Sequence, residues 1–352
     1  MKTNKKVLII GYGGTIIMTV DPVKRAVVVI ESIEKIKELL PDVRDIGDID
    51  LEILSNKDST NVGPSDWSRL AMHIYNKYDE YDAFVVTHGT NTMAYTASAL
   101  TLALGPNLNK PIVITGAQLP FMLYGTDARF NFENSLKVAV EAAEKGIAEV
   151  MVVFSDNILR GCRSVKVSES KFRAFDSPAF PHLGIITSTG IDFLPLINKK
   201  SEHRKKIELR PHFGENVLCV DLTPGQSPDL IEEILISGKC KGLILKSHGA
   251  GSIPDEGSFS FVPLIEKATQ HYKIPVIVST KFLGGNAYKD INDECALNAV
   301  KAGAIPGGDL TDVMTEVKLM WILSQGTFSK EEVKNKILKD YTGEITEFAF
   351  NK

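Results

Sequence analysis

The sequence has few cysteines, no long apolar run and no excess of one charge, and each absence removes a class of protein. The four cysteines, at positions 162, 219, 240 and 295, are scattered without metal-ligand spacing, so we expect reduced thiols. The apolar run VLII near the amino terminus is too short for a signal peptide. No run approaches the ~18 residues of a membrane span. We therefore expect a cytoplasmic protein that does not enter a membrane.

The charges are nearly balanced along the chain. Its 40 basic and 44 acidic residues give a net charge of −4, and the densest cluster is KKSEHRKK at 199–206. A chain of this kind offers no electrostatic footprint for nucleic acid or for a membrane surface. With 43% hydrophobic and 24% charged residues the composition is that of an ordinary globular protein. The expected partner is a small molecule.

Short β-branched runs alternate with longer amphipathic segments over most of the sequence. The runs include KVLII (6–10), AFVV (83–86) and EVMVVF (149–154). Between them, segments such as DWSRLAMHIYNKY (66–78) carry apolar residues at helical spacing. Alternating strands and helices with continuously apolar strands predict a parallel sheet covered by helices on both faces.

The length of 352 residues predicts two domains, because a single core rarely sustains so long a chain. A polar, turn-rich span beginning near residue 190 is typical of a linker, and the alternation restarts after it. We predict a larger catalytic domain with a flavodoxin-like parallel sheet over residues 1–195. A linker over 196–216 then leads to a smaller α/β domain over 217–352.

Polar loops follow the early predicted strands at once. They read GYGGT, SNKDST, THGTNT and TGAQ. Ligands bind at the carboxyl ends of parallel strands, because the loops converge there and helix amino termini face the crevice. We expect one crevice to receive the following polar side chains: Thr15, Ser59, Thr60, Thr90, Asn91 and Gln118.

The glycine loop GYGGTI admits three interpretations. A dinucleotide-binding loop is disfavoured, because Ile16 stands where the GxGxxG spacing needs its third glycine. Simple turn glycines are the second interpretation. The third is a loop that brings backbone N–H groups to a ligand beside one hydroxyl nucleophile, Thr15. Such a hydroxyl needs a base, and Lys166 is a candidate, although a lysine in a charged loop is usually solvated.

Several motifs together resemble the bacterial-type L-asparaginases, in particular the cytoplasmic type I enzymes and a related subunit of an archaeal tRNA-dependent amidotransferase. The resemblance covers nearly the whole chain. The matching stretches are GGTI (13–16), DST (58–60), THGTNTMAYTA (87–97), TGAQLP (115–120), DARFN (127–131), RGCRSVK (160–166), HGAGSIP (248–254) and GGDLT (307–311).

The resemblance implies hydrolysis of the side-chain amide of asparagine, sometimes of glutamine, without cofactor or metal. Thr15 would form the acyl-enzyme, and Thr90 and Lys166 would belong to a second Thr–Lys–Asp set, with Asn91 at the aspartate position. Ser59 would bind the substrate α-carboxylate. The remaining pocket positions implied are Gly14, Thr60, Gly89, Ala117 and Ser252. A homodimer or homotetramer is also implied.

Three departures separate this chain from the family pattern. Asn91 replaces the aspartate that orients the lysine and binds the substrate α-ammonium, and an amide supplies no charge. Ser252 stands where the family usually has an asparagine that reaches the same ammonium. The loop IMTVDPVKRAVVVIES lacks the usual tyrosine. Tyr12 and Tyr288 are possible substitutes, and the tyrosine role stays unassigned.

These departures leave alternatives to an ordinary asparaginase. One is a retuned relative that cleaves an amide, ester or conjugate without a free α-ammonium. Another is an ammonia-donating component of a larger amidotransferase, which the lack of an extra domain before KVLII disfavours. A third is a catalytically impaired ligand-binding homologue, or a trapping substitution at Asn91. Retention of Thr15, Thr90 and Lys166 together favours an active hydrolase.

Overall fold

The chain forms two compact units in the computed structural model, Met1–Pro211 and His212–Lys352. The residues described are 4–21, 26–29, 32–40, 43, 46–198, 206–287 and 293–346. The division between the units falls inside the predicted linker 196–216, part of which (199–205) is outside the described residues. The exact domain limits stay a prediction.

The first unit is built on one large mixed sheet with helices on both faces. The strands of this unit are β1 Lys6–Tyr12, β2 Met18–Asp21, β3 Ala26–Val29, β4 Asp48–Ser55, β5 Ala83–Thr87, β6 Ile112–Thr115, β7 Val150–Phe154, β8 Asn157–Arg160, β9 Val165–Lys166, β10 Phe175–Asp176, β11 Gly184–Thr187 and β12 Gly190–Phe193. Strands β2 and β3 form a separate two-stranded sheet, and so do β9 and β10. Its helices are α1 Ile33–Leu39, α2 Pro64–Asn76, α3 Met93–Leu104 and α4 Ala128–Glu144.

The large sheet has the order β12-β11-β8-β7-β6-β5-β1-β4. From β4 to β7 all pairs are parallel. Numbered by their place in the chain, these five strands have the flavodoxin order 2-1-3-4-5. The direction in which strands are added reverses between β1 and β5, and this is where such sheets bind ligands. Two strand ends therefore flank the crevice, that of β1 and that of β5.

Burial explains the continuously apolar strands. Val7 and Ile9 of β1 pack in one core cluster with Phe132 of α4. The alternate residues Leu8 and Ile10 are equally buried, because successive side chains of a strand point to opposite faces. Helix α3, with the sequence MAYTASALTLAL, is buried on nearly all sides, as its almost uniformly apolar composition requires. The predicted parallel sheet with two covered faces is confirmed.

The edge of the large sheet differs from the prediction. Strand β8 continues it antiparallel to β7, β11 then pairs antiparallel with β8, and β12 pairs antiparallel with β11. Strand β12 lies at the start of the polar span that we interpreted as linker from about residue 190. Its alternating exposed and half-buried residues give only a weak apolar signal, because this edge strand covers little of the core.

The second unit is a smaller α/β layer structure. Its strands are β13 Val217–Asp221, β14 Gly242–Ser247, β15 Val276–Thr280 and β16 Ile305–Pro306, and they form one parallel sheet in that order. Its helices are α5 Asp229–Ile236, α6 Val262–Glu266, α7 Glu294–Ala302, α8 Asp312–Leu323 and α9 Lys330–Leu338. The predicted second α/β unit is therefore confirmed. No helix among the described residues is long and apolar enough to cross a membrane.

Candidate active site

The glycine loop after β1 is held against the loop after β5. Gly13 and Gly14 have φ of 93° and 85°, a backbone conformation that side chains disfavour. A Cβ at Gly14 would also lie 2.6 Å from the carbonyl oxygen of His88 and 2.7 Å from the amide nitrogen of Gly89. Both glycines are therefore required by the backbone itself. The close approach of Gly14 to His88 and Gly89 brings the two strand ends that flank the crevice into direct contact.

Thr15 follows these glycines in a short 3₁₀ turn and is half-buried. Its hydroxyl donates a hydrogen bond to the carbonyl oxygen of Ala117, at 2.9 Å, just beyond the end of β6. Among the described residues this carbonyl is the hydrogen-bond partner of the hydroxyl, and no lysine or carboxylate side chain contacts it. Within the described part of the chain, the hydroxyl is thus oriented by backbone.

Lys166 brings together the second predicted set. Its ammonium donates to Thr90 Oγ1 at 2.9 Å and to Asn91 Oδ1 at 3.0 Å. Thr90 and Asn91 begin a 3₁₀ turn at the end of β5, and Lys166 lies on the short strand β9. The lysine side chain is largely buried, at 16% exposure. The lysine predicted from a charged loop is therefore part of a built cluster, not a solvated side chain.

Asn91 joins that cluster to the loop after β4. While its Oδ1 accepts from Lys166, its Nδ2 donates to Thr60 Oγ1 at 3.1 Å. An amide has one acceptor and one donor end, so it can bridge a lysine and a hydroxyl at once. Asn91 therefore reproduces the geometry expected of an orienting side chain while adding no negative charge.

Ser59 lies beneath the same loop and is almost fully buried. Its Oγ accepts from the backbone N–H of Asn91 at 3.2 Å, and its carbonyl accepts from Thr92 Oγ1 at 2.6 Å. Gly89 passes so close that a Cβ there would lie 2.6 Å from Ser59 Oγ. The structure thus brings together Thr15, Ser59, Thr60, Thr90, Asn91, Ala117 and Lys166 with the two glycines 14 and 89.

A carboxylate that sequence reasoning missed completes the lysine cluster. Glu169 Oε2 lies 2.6 Å from the Lys166 ammonium, although the glutamate side chain itself is 84% exposed. Gln118 fixes the backbone of this loop by donating to the carbonyl oxygens of Glu169 and Lys171, at 2.8 and 3.1 Å. The sequence feature that could have indicated this contact is a glutamate three residues after Lys166, within SVKVSESK.

Two further side chains that were not predicted hold the strand end after β6. The Asp127 carboxylate accepts from the backbone N–H groups of Gln118 and Leu119, at 2.9 and 3.0 Å. Asn131 donates to the carbonyl of Gly116 at 2.9 Å. Both lie in the stretch DARFN that opens α4. They fix the peptide whose carbonyl receives the Thr15 hydroxyl.

The contacts of Tyr12 argue against its use as a substitute for the usual loop tyrosine. Its hydroxyl donates to Asp66 Oδ1 at 3.0 Å and accepts from Arg69 at 2.9 Å, and the side chain is fully buried. Burial raises the pKa of Tyr12 to about 12, while Arg69 acts to lower this pKa and Asp66 acts to raise it. A phenol so placed is a poor base. The other candidate, Tyr288, lies outside the described residues.

His88 is a neutral packing residue at the end of β5. Its Nδ1 lies 2.7 Å from the carbonyl of Gly89, so Nδ1 carries the proton, and Nε2 accepts from Thr96 Oγ1 at 2.9 Å. Burial lowers the pKa of His88 to about 4. His88 thus packs the loop as a neutral side chain, and its lowered pKa has a measurable consequence for stability.

We expect acid to destabilise the fold through His88. The unfolded chain takes up this proton near pH 6.5 and the native chain only near pH 4, so the stability present above pH 6.5 is lost as pH falls toward 4. By pH 5 the loss is about 2 kcal/mol. Urea unfolding at pH 7 and pH 5 measures this loss of stability.

His88→Gln should flatten the dependence of stability on pH, and His212→Gln, at an exposed site, should not. Equal slopes in wild type and His88→Gln would contradict a neutral buried His88.

Ser252 lies in the second unit, in the turn after β14. Its backbone pairs with His248, and its hydroxyl donates to Asp293.

No group of His, Cys, Asp and Glu side chains suited to a metal ion occurs among the described residues. No disulfide joins the four cysteines, all of which lie in the described ranges.

Comparison with known proteins places both units in one family. The family profile "Asparaginase, N-terminal" matches residues 6–196, and "Glutaminase/Asparaginase C-terminal domain" matches residues 216–336. The chain is 33% identical to an L-asparaginase of Thermococcus kodakarensis over 343 residues, 97% of this chain and 99% of the relative. It is also 32% identical to one component of the glutamyl-tRNA(Gln) amidotransferase of Methanosarcina barkeri, over 98% of this chain and 80% of that protein.

Solved structures show the same similarity at the level of the fold. The thermostable L-asparaginase from Thermococcus kodakarensis superimposes with a TM-score of 0.86 at 31% identity, over 97% of this chain and 99% of that one. A probable cytoplasmic L-asparaginase from Campylobacter jejuni superimposes with a TM-score of 0.77 at 27% identity, over 96% and 100% of the two chains. Fold, family profiles and sequence identity thus agree over nearly the whole chain.

Proposed function

This chain belongs to the asparaginase family of amidohydrolases, and on that premise we propose that it releases ammonia from the side-chain amide of L-asparagine through an acyl-enzyme on Thr15. One observation carries the residue assignment. The sheet edge at the β1/β5 reversal holds the Thr15 hydroxyl on one side and the Thr90–Lys166–Asn91 cluster on the other. Ammonia release from asparagine by the purified protein is the direct test.

The chemistry that we assign to these groups has two steps. Thr15 Oγ attacks the amide carbon, its hydroxyl proton passes to the amide nitrogen, and ammonia leaves as the C–N bond breaks. A water molecule then attacks the threonyl ester, and the product acid leaves Thr15 free. Thr90 and Lys166, in hydrogen-bond contact, would hold and move the protons of these steps. No cofactor or metal is required by this scheme.

The substrate would be held by the groups around this pair. We assign the α-carboxylate to Ser59 and its neighbour Thr60, and backbone contacts to the strand ends at Gly14, Gly89 and Ala117. The almost fully buried Ser59, which accepts from the backbone N–H of Asn91 at 3.2 Å, supports a preformed pocket wall. We also propose a homodimer or homotetramer in which Ser252 faces a substrate, and a cytoplasmic location, as for the Campylobacter jejuni protein.

A single substitution tests how the pocket treats the substrate ammonium. Asn91→Asp adds a charge where the amide now accepts from Lys166. We expect kcat/KM for asparagine to rise about tenfold, because hydrogen bonds to charged groups are worth about 1.5–3 kcal/mol against about 1 for neutral ones. Succinamate, which is asparagine without its amino group, should gain little. Steady-state ammonia release with both substrates measures the difference.

The same pair of substrates distinguishes the second candidate function. The neutral Asn91, bonded to Thr60 and Lys166, offers no anion to a substrate ammonium. A retuned enzyme for amides without a free α-ammonium would turn over succinamate or N-acylated asparagine faster than asparagine already as wild type. An unchanged asparagine rate in Asn91→Asp would contradict the asparagine assignment for the pocket. Failure of every amide would contradict the proposed function itself.

A further inference from the structure

The Lys166 ammonium has three protons, and the structure gives each an acceptor. These are Thr90 Oγ1 at 2.9 Å, Asn91 Oδ1 at 3.0 Å and Glu169 Oε2 at 2.6 Å. Thr90 and Asn91 are neutral. Among the described residues, Glu169 is therefore the one anionic contact of this largely buried ammonium. The contact is also the shortest of the three, as expected for an interaction between opposite charges.

The position of Glu169 is set by the fold. Its backbone is tied by Gln118, which donates to the carbonyl oxygens of Glu169 and Lys171. Gln118 directly follows Ala117, whose carbonyl accepts from the Thr15 hydroxyl at 2.9 Å. The loop that carries Glu169 is thus fastened to the peptide segment that orients the proposed nucleophile.

We propose that Glu169 is a positioning residue that supplies the negative charge that Asn91 cannot provide at Lys166. This proposal rests on the proposed amidohydrolase reaction, in which Lys166 moves protons. The carboxylate would keep the Lys166 ammonium in hydrogen-bond contact with Thr90 Oγ1 between turnovers. Because Glu169 is mostly exposed, water and salt screen the contact and limit its strength. The role is therefore a modest one that depends on ionic strength.

The proposal makes the two positions interdependent. Glu169→Gln should lower kcat/KM about three- to tenfold at low ionic strength, with a smaller loss in high salt. In the Asn91→Asp background the same substitution should change kcat/KM less than about twofold, because the charge is then supplied from position 91. Glu169→Asp, which keeps a carboxylate on a shorter stem, should fall between. Glu144→Gln, an exposed acid at the end of α4, is the control for loss of one charge.

The results separate a positioning role from a merely structural one. Equal losses from Glu169→Gln in both backgrounds, or no loss in either at low salt, would overturn the proposal. An effect on thermal stability without the dependence on position 91 would do the same. The proposal is supported if Asn91→Asp restores the kcat/KM lost in Glu169→Gln, and if that loss depends on salt only where residue 91 is asparagine.

A second measurement does not need the reaction. The mobility of the Lys166 ammonium, followed by NMR relaxation of isotope-labelled lysine, reports how firmly its acceptors hold it. Among the described residues, the anionic group that contacts Lys166 is Glu169, with Thr90 and Asn91 as neutral neighbours. Glu169→Gln should increase this mobility, and Glu144→Gln should leave it unchanged. Unchanged mobility in Glu169→Gln would overturn the contact even if the protein cleaved no amide, whereas increased mobility without activity would reject only the proposed function.

Discussion

Thr15→Ala should lower amide hydrolysis by about 10⁴-fold or more, because no other hydroxyl replaces a removed nucleophile. The residual rate would come from the remaining pocket. Thr15 is half-buried, and its hydroxyl donates a hydrogen bond to the Ala117 carbonyl. The substitution therefore costs about 1 kcal/mol of stability, far less than would unfold the chain. Ammonia release and circular dichroism on the same sample measure both quantities.

Two companion variants make the result specific. Thr15→Ser keeps a hydroxyl and should retain measurable turnover, while Thr189→Ala, in an exposed turn, should behave as wild type. Acid-quenched wild-type protein should show the mass increase of an acyl group on the peptide containing Thr15, and Thr15→Ala should not. Undiminished ammonia release by Thr15→Ala would remove Thr15 from the nucleophile role.

Lys166→Met should lower kcat by about a thousandfold, within the range that proton transfer by a positioned side chain contributes. Methionine keeps much of the stem volume but leaves Thr90 Oγ1 and Asn91 Oδ1 without their donor. The effect should fall on kcat more than on KM, because the lysine contacts the proposed proton-transfer hydroxyl and not the substrate carboxylate.

The matched control for this lysine lies in the same loop. Lys171→Met removes an exposed ammonium but leaves the backbone carbonyl that accepts from Gln118, so its activity should stay near wild type. Lys166→Met with more than about a tenth of wild-type kcat would exclude a proton-transfer role for Lys166. Thr90 would then need another partner.

The sequence predicted the fold well where strands are buried on both faces. The apolar runs of β1, β5 and β7 have that pattern, and helices such as α2 show helical spacing. It predicted poorly at the sheet edge, because β11 and β12 are half-exposed and resemble turns. The order of the strands, and hence the crevice between β1 and β5, follows from pairing between distant segments that no local pattern contains.

The site divides in the same way. Residue types in loops after strands indicated Thr15, Thr90 and Asn91 and made Lys166 a candidate base, and the family resemblance then implied the same lysine. The partners that position them were not predicted: Asp127 and Asn131 under the β6 end, and Glu169 on the lysine. Each is an ordinary polar residue whose role depends on a neighbour far away in sequence.

The sequence by itself determined the family, the two α/β units and the side chains that carry the proposed chemistry, because residue types and their local order are enough for those. Tertiary structure alone decided which groups meet. It bridges the Asn91 amide between Lys166 and Thr60, and brings an exposed carboxylate onto the same ammonium. The physical reason is that hydrogen bonds and ion pairs depend on distance and direction in space, which chain folding sets and sequence spacing does not.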